Sequence, residues 1–526
     1  MIRKLSTLSP TINQQLKLQN RILETKGFIK SIRNSKKIGF IDISDGSSPK
    51  NLNIILKGNY PKNFQIGQTV SFKGDWVKSG KSQEYELHFD IDNPNHQFNI
   101  IGDIPEDYPL QKKSTTMQFL RTLPVLRNRT STMSSMLRLR SLVEFKLMEF
   151  FNSEDVFKVT PPILTSSDCE GAGEIFKIQD SLKFFEKDSY LTVSTQLHLE
   201  VLSSALNRVW TLTPCFRAEK SNTSRHLSEF WMLEVELGYL NELEPLLKFT
   251  ERMIHYIVTS LQTSNYIEGT YISKELIESR WNILLQEYQI MTYTDAITQL
   301  QSQGEVVEWG DSLQLKHEKM LASNGPVFIT NYPAVTKPFY MKAYNAKTVE
   351  CFDLLLPDLG ELVGGSLREH DYDKLLQNMK DKNLNNHNLD WYLSLRKNGT
   401  MPHGGFGLGF ERLIGYIAGL DNIKDVVPFP RSAGKNQYFR SWFEDFHAYH
   451  YNQIVNLNAI EHLFGESKFN DSELIKLAQK RIIKQGTDSD KLTKGDYHHH
   501  DKNILKAYKT WKSFGYDVVL IIMSLL

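Results

Sequence analysis

A chain of 526 residues with 40% apolar and 23% charged residues is long enough for two or three globular domains and a large core. Its formal net charge of +1 excludes a histone-like polyanion binder, so any contact with nucleic acid has to come from local basic patches. No apolar run reaches the roughly 18 residues that span a bilayer, so no membrane partner is expected, and Cys169, Cys215 and Cys351 lie too far apart for a disulfide framework or a cysteine zinc site.

The first 23 residues hold Arg3, Lys4, Lys17 and Arg21 among hydroxyl side chains with no acid. That is the pattern of a mitochondrial transit peptide, placed at residues 1–21, or of a plain disordered leader. From Ile22 to about residue 100, short alternating runs (KGFIKSI, IGFIDIS, LNIILKG, TVSFKGDWVK) are punctuated by Asp-Gly, Gly and Pro. They predict a small β-barrel, and its excess of lysine suits single-stranded nucleic acid. Residues 101–131, with Pro105, Pro109 and Pro124, read as a linker or hinge. Met136, Leu139, Val143, Leu147 and Phe150 then form a helical stripe, followed by a strand, DVFKVTPPIL, that ends in proline.

After a glycine-rich acidic loop, SSDCEGAGEIF, and the stretch LTVSTQLHLE, Val209 to Leu240 reads as two strands joined by a polar turn. Residues two apart share a face of a strand, so Thr213, Cys215, Arg217 and Glu219 point one way and Leu212, Pro214, Phe216 and Ala218 the other. On the return strand Phe230, Met232, Glu234 and Glu236 oppose Trp231, Leu233, Val235 and Leu237. One face packs on a core. Desolvating the unpaired charges of the other costs several kcal/mol each, so that face meets a polar ligand or a dense ion-pair network. Residues 243–325 alternate helical stretches. CFDLLLPDLGELVGGSLRE follows, with Asp353 and Glu361 bracketing an apolar strand and turn, and then GTMPHGGFGLGFERLIGYIAGL, where glycines precede a helix carrying Arg412 and no GKS or GKT of a P-loop appears. The tail 433–526 has a His498–His500 run and an apolar end too short to span a membrane, and no role is assigned to it.

FRAE, a polar loop and RHLSEF resemble motif 2 of the class II aminoacyl-tRNA synthetases, and SNTSRHLSEFWMLEVE is most similar to the asparaginyl-tRNA synthetases. The resemblance runs from about Ile22 to Ser432. It implies an α+β protein: an N-terminal OB-fold barrel (22–100) that binds the anticodon, and a class II antiparallel-sheet catalytic domain (132–432). In that family Arg217 would hold the ATP α-phosphate and the amino acid carboxylate, Glu219 would read adenine, and Phe230 would stack on the base. Arg225 and His226 would meet the other phosphates and the tRNA acceptor end. DVFKVTPPIL with the helix before it is similar to motif 1, with Pro162 as its proline, which implies a homodimer. Glu170 or Glu174 would bind the substrate ammonium. Ser194 and Gln196 would bind the amino acid backbone, with Thr195 where the family commonly carries Gly. Asp353 and Glu361 would hold Mg²⁺, Arg368 would read the substrate side chain beside Glu234, and Gly407 and Gly409 would press against the nucleotide, whose γ-phosphate Arg412 would meet. On the barrel, Phe40 would stack an anticodon base unless it is a core residue, with Arg33 and Asn53 beside it. The implied reaction is ATP-dependent attachment of asparagine to tRNA(Asn) through an asparaginyl-adenylate, in the mitochondrial matrix or else the cytoplasm. A relaxed aspartyl enzyme and a non-catalytic tRNA-binding paralogue are the other readings.

Overall fold

In the N-terminal region one long strand closes a barrel on itself. The computed structural model describes residues 10–434, apart from 17–21, 36–37, 80–84, 112–114, 167–174, 222, 265–271 and 385–388. The chain divides into two units after Asn436, and the second, Gln437–Leu526, lies outside the described residues, as do most of the expected leader and both Glu170 and Glu174. Strand β1 (Ile22–Asn34) pairs antiparallel with β4 (Thr69–Lys78) through its first half and with β2 (Ile38–Ser44) through its second, with a bulge between Ile29 and Ser31 where it turns the corner. Gly27 sits at this crossing, where a Cβ would lie 2.9 Å from the Ser44 backbone. With β3 (Leu52–Lys57) and β5 (Tyr85–Asp90) the order β1-β2-β3-β5-β4 returns to β1. Ile41, Ile43, Leu52, Ile54 and Leu56 alternate into the barrel core, as the period of two requires.

The barrel extends further than the sequence suggested. β6 (Gln97–Gly102) pairs with β4, so the wall runs two residues past the expected boundary. The stretch read as a hinge is also pinned at its far end: the Arg121 guanidinium donates to both oxygens of Asp425 at 2.7 and 2.6 Å, and Arg127 Nη2 donates to the Lys424 carbonyl at 2.9 Å.

The helix Ser131–Ser153 begins at Thr130, whose hydroxyl accepts the Met133 N–H, and buries the expected stripe from Met136 to Phe150. Its outer face leaves Phe145 54% and Met148 45% exposed, near in sequence to the 52% exposed Phe157. The second sheet has eight strands in the order β12-β13-β14-β15-β16-β11-β10-β7. In chain order these are β7 (Phe157–Lys158), β10 (Arg208–Phe216), β11 (Glu229–Gly238), β12 (Gln289–Thr292), β13 (Val327–Thr330), β14 (Cys351–Leu356), β15 (Gly360–Leu367) and β16 (His403–Gly409), while β8 (Leu164–Thr165) and β9 (Tyr190–Leu191) form a separate pair. The six central strands are antiparallel, and the two edges, β7 on β10 and β12 on β13, are parallel.

The two faces of the β10–β11 hairpin separate as their alternation predicts. Leu212 opposes Leu233 and Trp210 opposes Val235 on the side packed against the helices, while Thr213 opposes Met232 and Thr211 opposes Glu234 on the other. Two details differ. β10 stops at Phe216, so Arg217 and Glu219 stand just past the strand end. Trp231, expected in the core, is 37% exposed, because β16 ends at Gly409 opposite Met232. Its backbone N–H donates to Glu411 Oε2 at 2.9 Å. Glu411 is itself buried and also holds Arg140 of the 131–153 helix at 2.8 Å.

Candidate active site

The polar face of β11, with β15 and β16, forms the floor of a cavity of about 340 Å³. Arg368 dominates one wall. Its Nη2 donates to Glu236 Oε2 at 3.0 Å, its Nε lies 3.2 Å from Oε1, and its Nη1 donates to Ser366 Oγ at 2.7 Å. Behind it Glu200, 1% exposed, accepts from Arg396 Nη2 at 2.6 Å, Tyr392 Oη at 2.7 Å and Gln196 Nε2 at 3.0 Å, and lies 3.0 Å from His403 Nε2. Burial pushes the Glu200 carboxyl up, but Arg396, His403 and Arg368 outweigh it and hold the group well below the ordinary carboxylate range. Burial pushes Glu236 up, with Glu200 adding to the rise and Arg368 opposing it. Glu200, Glu236 and His403 are grouped closely enough to ligate a metal, but Arg368 and Arg396 already match these two carboxylates, so the cluster is an ion-pair network.

Glu234 faces the same cavity but is held differently. Both Ser194 and Thr195 hydroxyls donate to it, and so does the Thr195 N–H at 2.9 Å, at the start of the helix Gln196–Leu206. Arg368 grips Glu236, while Glu234, which the sequence placed in the same pocket, lines that cavity with Arg368 and takes Ser194 and Thr195 as its partners. Ser194 and Gln196 do line the cavity, each tied to one of the buried carboxylates.

A second cavity of about 130 Å³ shares Arg217, Met232, Glu361 and Gly407 with the first, so the two are parts of one cleft. Here Arg217 lies over the Phe230 ring at 5.6 Å and 3.9 Å from Glu219. His226 Nε2 is 3.7 Å from the other Glu219 oxygen, and burial with nearby guanidiniums pushes its pKa below the ordinary imidazole value. Arg225 lines the same cavity. Arg412, three residues past the last glycine of β16, donates to the Glu361 carbonyl at 3.1 Å and its carboxylate at 3.3 Å. Asp353 and Glu361 flank Gly364: a Cβ there would lie 3.4 Å from Asp353 Oδ1 and 3.3 Å from Glu361 Oε1. Lys337 Nζ pairs with Asp353 at 2.9 Å.

The glycines of β16 divide by role. At Gly405 a Cβ would lie 2.0 Å from the Val235 carbonyl, so the sheet itself excludes a side chain there. Gly407 has no contact under 3.5 Å and opens to both cavities. Gly409 caps the helix Phe410–Ile417 against the Arg412 stem.

On the barrel, Phe40 is half-buried on the outer face, between the inward Gly39 and Ile41. Arg33, its register partner, lies 5.7 Å from the ring. Asn53 donates to Asp42 at 2.8 Å on the next strand, so Arg33, Phe40 and Asn53 form one patch on β1, β2 and β3. The core alternative for Phe40 does not hold.

Residues 116–433 match the family described as tRNA synthetases class II (D, K and N). The chain is 45% identical over 456 residues to the mitochondrial asparagine–tRNA ligase of Saccharomyces cerevisiae, covering 79% of this chain and 93% of that protein. It is 40% identical over 439 residues to the mitochondrial asparagine–tRNA ligase of Schizosaccharomyces pombe, covering 78% and 94%. It also superposes on the asparaginyl-tRNA synthetase of Pyrococcus horikoshii complexed with asparaginyl-adenylate, with a TM-score of 0.74, 30% identity and coverage of 82% of this chain and 99% of that one.

Proposed function

Because this chain belongs to the class II tRNA synthetases of the D, K and N family, we propose that it attaches asparagine to tRNA(Asn) in mitochondria. ATP is the energy source. The asparagine carboxylate attacks the α-phosphorus and pyrophosphate leaves; the 3′-terminal hydroxyl of the tRNA then attacks the acyl carbon and AMP leaves. No side-chain nucleophile is required, so the protein contributes position and opposite charge. Arg217 sits where the two cavities meet, within reach of both a carboxylate in one and an α-phosphate in the other. Phe230 and Glu219 take the adenine end, and Arg225, His226 and Arg412 the phosphates. Asp353 and Glu361 are the residues that would hold Mg²⁺, two hard carboxylates converging on Gly364 with Lys337 beside one and Arg412 beside the other, and the ion would add positive charge at the phosphates.

One observation supports asparagine over aspartate: inside the amino acid cavity the Arg368 charge is already matched by Glu236, with Glu200 behind. An amide can accept from Arg368 and donate to Glu236, whereas a second carboxylate would meet Glu236 as a like charge. Pyrophosphate exchange is expected to be about 100-fold faster or more with asparagine than with aspartate at equal concentration, in the range of sites built to pair one polar group. Comparable rates would refute the specificity and leave the synthetase assignment standing.

The exposed apolar side chains Phe145 and Met148 on the helix and Phe157 on the strand that follows it, the region resembling motif 1, support a homodimer through this region. The acid-free leader supports import into the matrix. The Arg33, Phe40 and Asn53 patch supports anticodon binding. Phe40→Ala is expected to lower tRNA charging about tenfold with pyrophosphate exchange unchanged, since stacking one base is worth roughly 1–3 kcal/mol. An equal loss in both assays would make Phe40 a structural residue only.

A further inference from the structure

The helix Leu315–Leu321 lies behind the turn between β14 and β15 and sends one carboxylate, Glu318, toward the nucleotide end of the cleft. Its seat is fixed locally: Gln314 and His317 cap each other at the helix start, and Lys316 and His317 both reach Glu305, at 2.5 and 3.5 Å. Glu318 Oε2 accepts the Glu361 N–H at 3.0 Å. The approach depends on Gly360, whose φ is +83° and where a Cβ would lie 2.4 Å from that same oxygen. Arg225 Nη1 stands 3.8 Å from Glu318 Oε2, with 17% and 16% of the two side chains exposed.

Arg225 and Arg412 line one cavity of about 130 Å³, where two guanidiniums repel. Burial and Arg412 both disfavour the charge on Arg225, and Glu318 and Glu361 favour it. Each arginine has its own carboxylate, Arg412 with Glu361 at 3.3 Å and Arg225 with Glu318. The two holds differ. Glu318 is fastened to backbone, while 3.8 Å to Arg225 is longer than a hydrogen bond. Arg225 is thus guided by charge without being locked, and its buried Nε has no acceptor among the described residues. Resting on the ATP-dependent reading above, we infer that Glu318 is a positioning residue that keeps Arg225 beside Arg412, so that an incoming triphosphate meets both arginines already in place.

Glu318→Gln keeps an acceptor for the Glu361 N–H and removes only the charge. In the full-length protein, ATP affinity by calorimetry is expected to fall about tenfold, the scale of a coupled charge pair. The KM for ATP in exchange should rise alike, with the asparagine KM and melting temperature unchanged. In an Arg225→Gln background, Glu318→Gln should add no further loss of ATP affinity. Unchanged ATP affinity, additive losses in the double variant, or a lowered melting temperature with both KM values shifted would each overturn the inference. Calorimetry with ATP reads Glu318 whichever amino acid is activated, whereas absence of asparagine-dependent exchange in the unaltered protein would strike the asparagine assignment alone.

Discussion

Arg217→Ala is expected to lower asparagine-dependent pyrophosphate exchange at least about a hundredfold, with the protein still folded, since one preorganised contact to developing charge is worth on the order of 3 kcal/mol. The position explains the size. Arg217 stands past the end of β10, borders both cavities, and lies over the Phe230 ring at 5.6 Å, so in the proposed reading one side chain would serve the amino acid and the nucleotide together. It is partly exposed and lies outside the buried apolar cluster of the catalytic sheet, so its removal leaves that core intact. Arg217→Lys should recover only part of the rate, because an ammonium keeps the charge and loses the planar fork. Near-wild-type exchange in a folded alanine variant would sink the assignment.

Glu200→Gln is expected to cost about 3 kcal/mol of stability or more at neutral pH, because removing one partner of a buried network leaves the other charge uncompensated. Arg396 Nη2 and Tyr392 Oη converge on one Glu200 oxygen with His403, and Arg368 approaches the other. The sign with pH follows from the depressed carboxyl. A group whose folded pKa lies below its ordinary 4.5 contributes fully above that value and loses the contribution as pH falls through its folded pKa. Denaturant unfolding should therefore show a constant gap between wild type and variant from about pH 7 to 5, narrowing in more acid solution. Glu236, raised by burial, works in the opposite sense and regains stability as pH falls through its own pKa. A variant as stable as wild type at pH 7 would show the network to be replaceable.

Local pattern made the hairpin legible, and the distance between partners along the chain hid the network. In β10 and β11 the period of two appears in every residue, and the register that pairs Leu212 with Leu233 and Thr213 with Met232 follows from it. Glu200, by contrast, finds Tyr392, Arg396 and His403 across 192 to 203 positions, and no local spacing announces such a pair. The only nearby trace was Gln196, four residues earlier and therefore on the same helix face. The Glu234 assignment shows the same limit: alternation put Glu234 and Glu236 on one face, but which of them meets Arg368 depends on where β15 and the helix Gln196–Leu206 dock. The barrel's expected end fell two residues short because Gly102 pairs with Thr69 past an irregularity in the ladder, a partner more than thirty positions away that no local spacing announces.

Two consecutive charges on the helix Phe410–Ile417 take different partners at the sheet end, although both border the smaller cavity. Glu411 clasps Arg140, on the helix that bears Phe145 and Met148, and caps the Trp231 N–H, while Arg412 points to Glu361 in the cleft. Adjacent residues on an α-helix are separated by about 100°. A roll of the 410–417 helix about its axis that drew Arg412 away from Glu361 would therefore also strain the Glu411 contacts with Arg140 and the Trp231 backbone N–H.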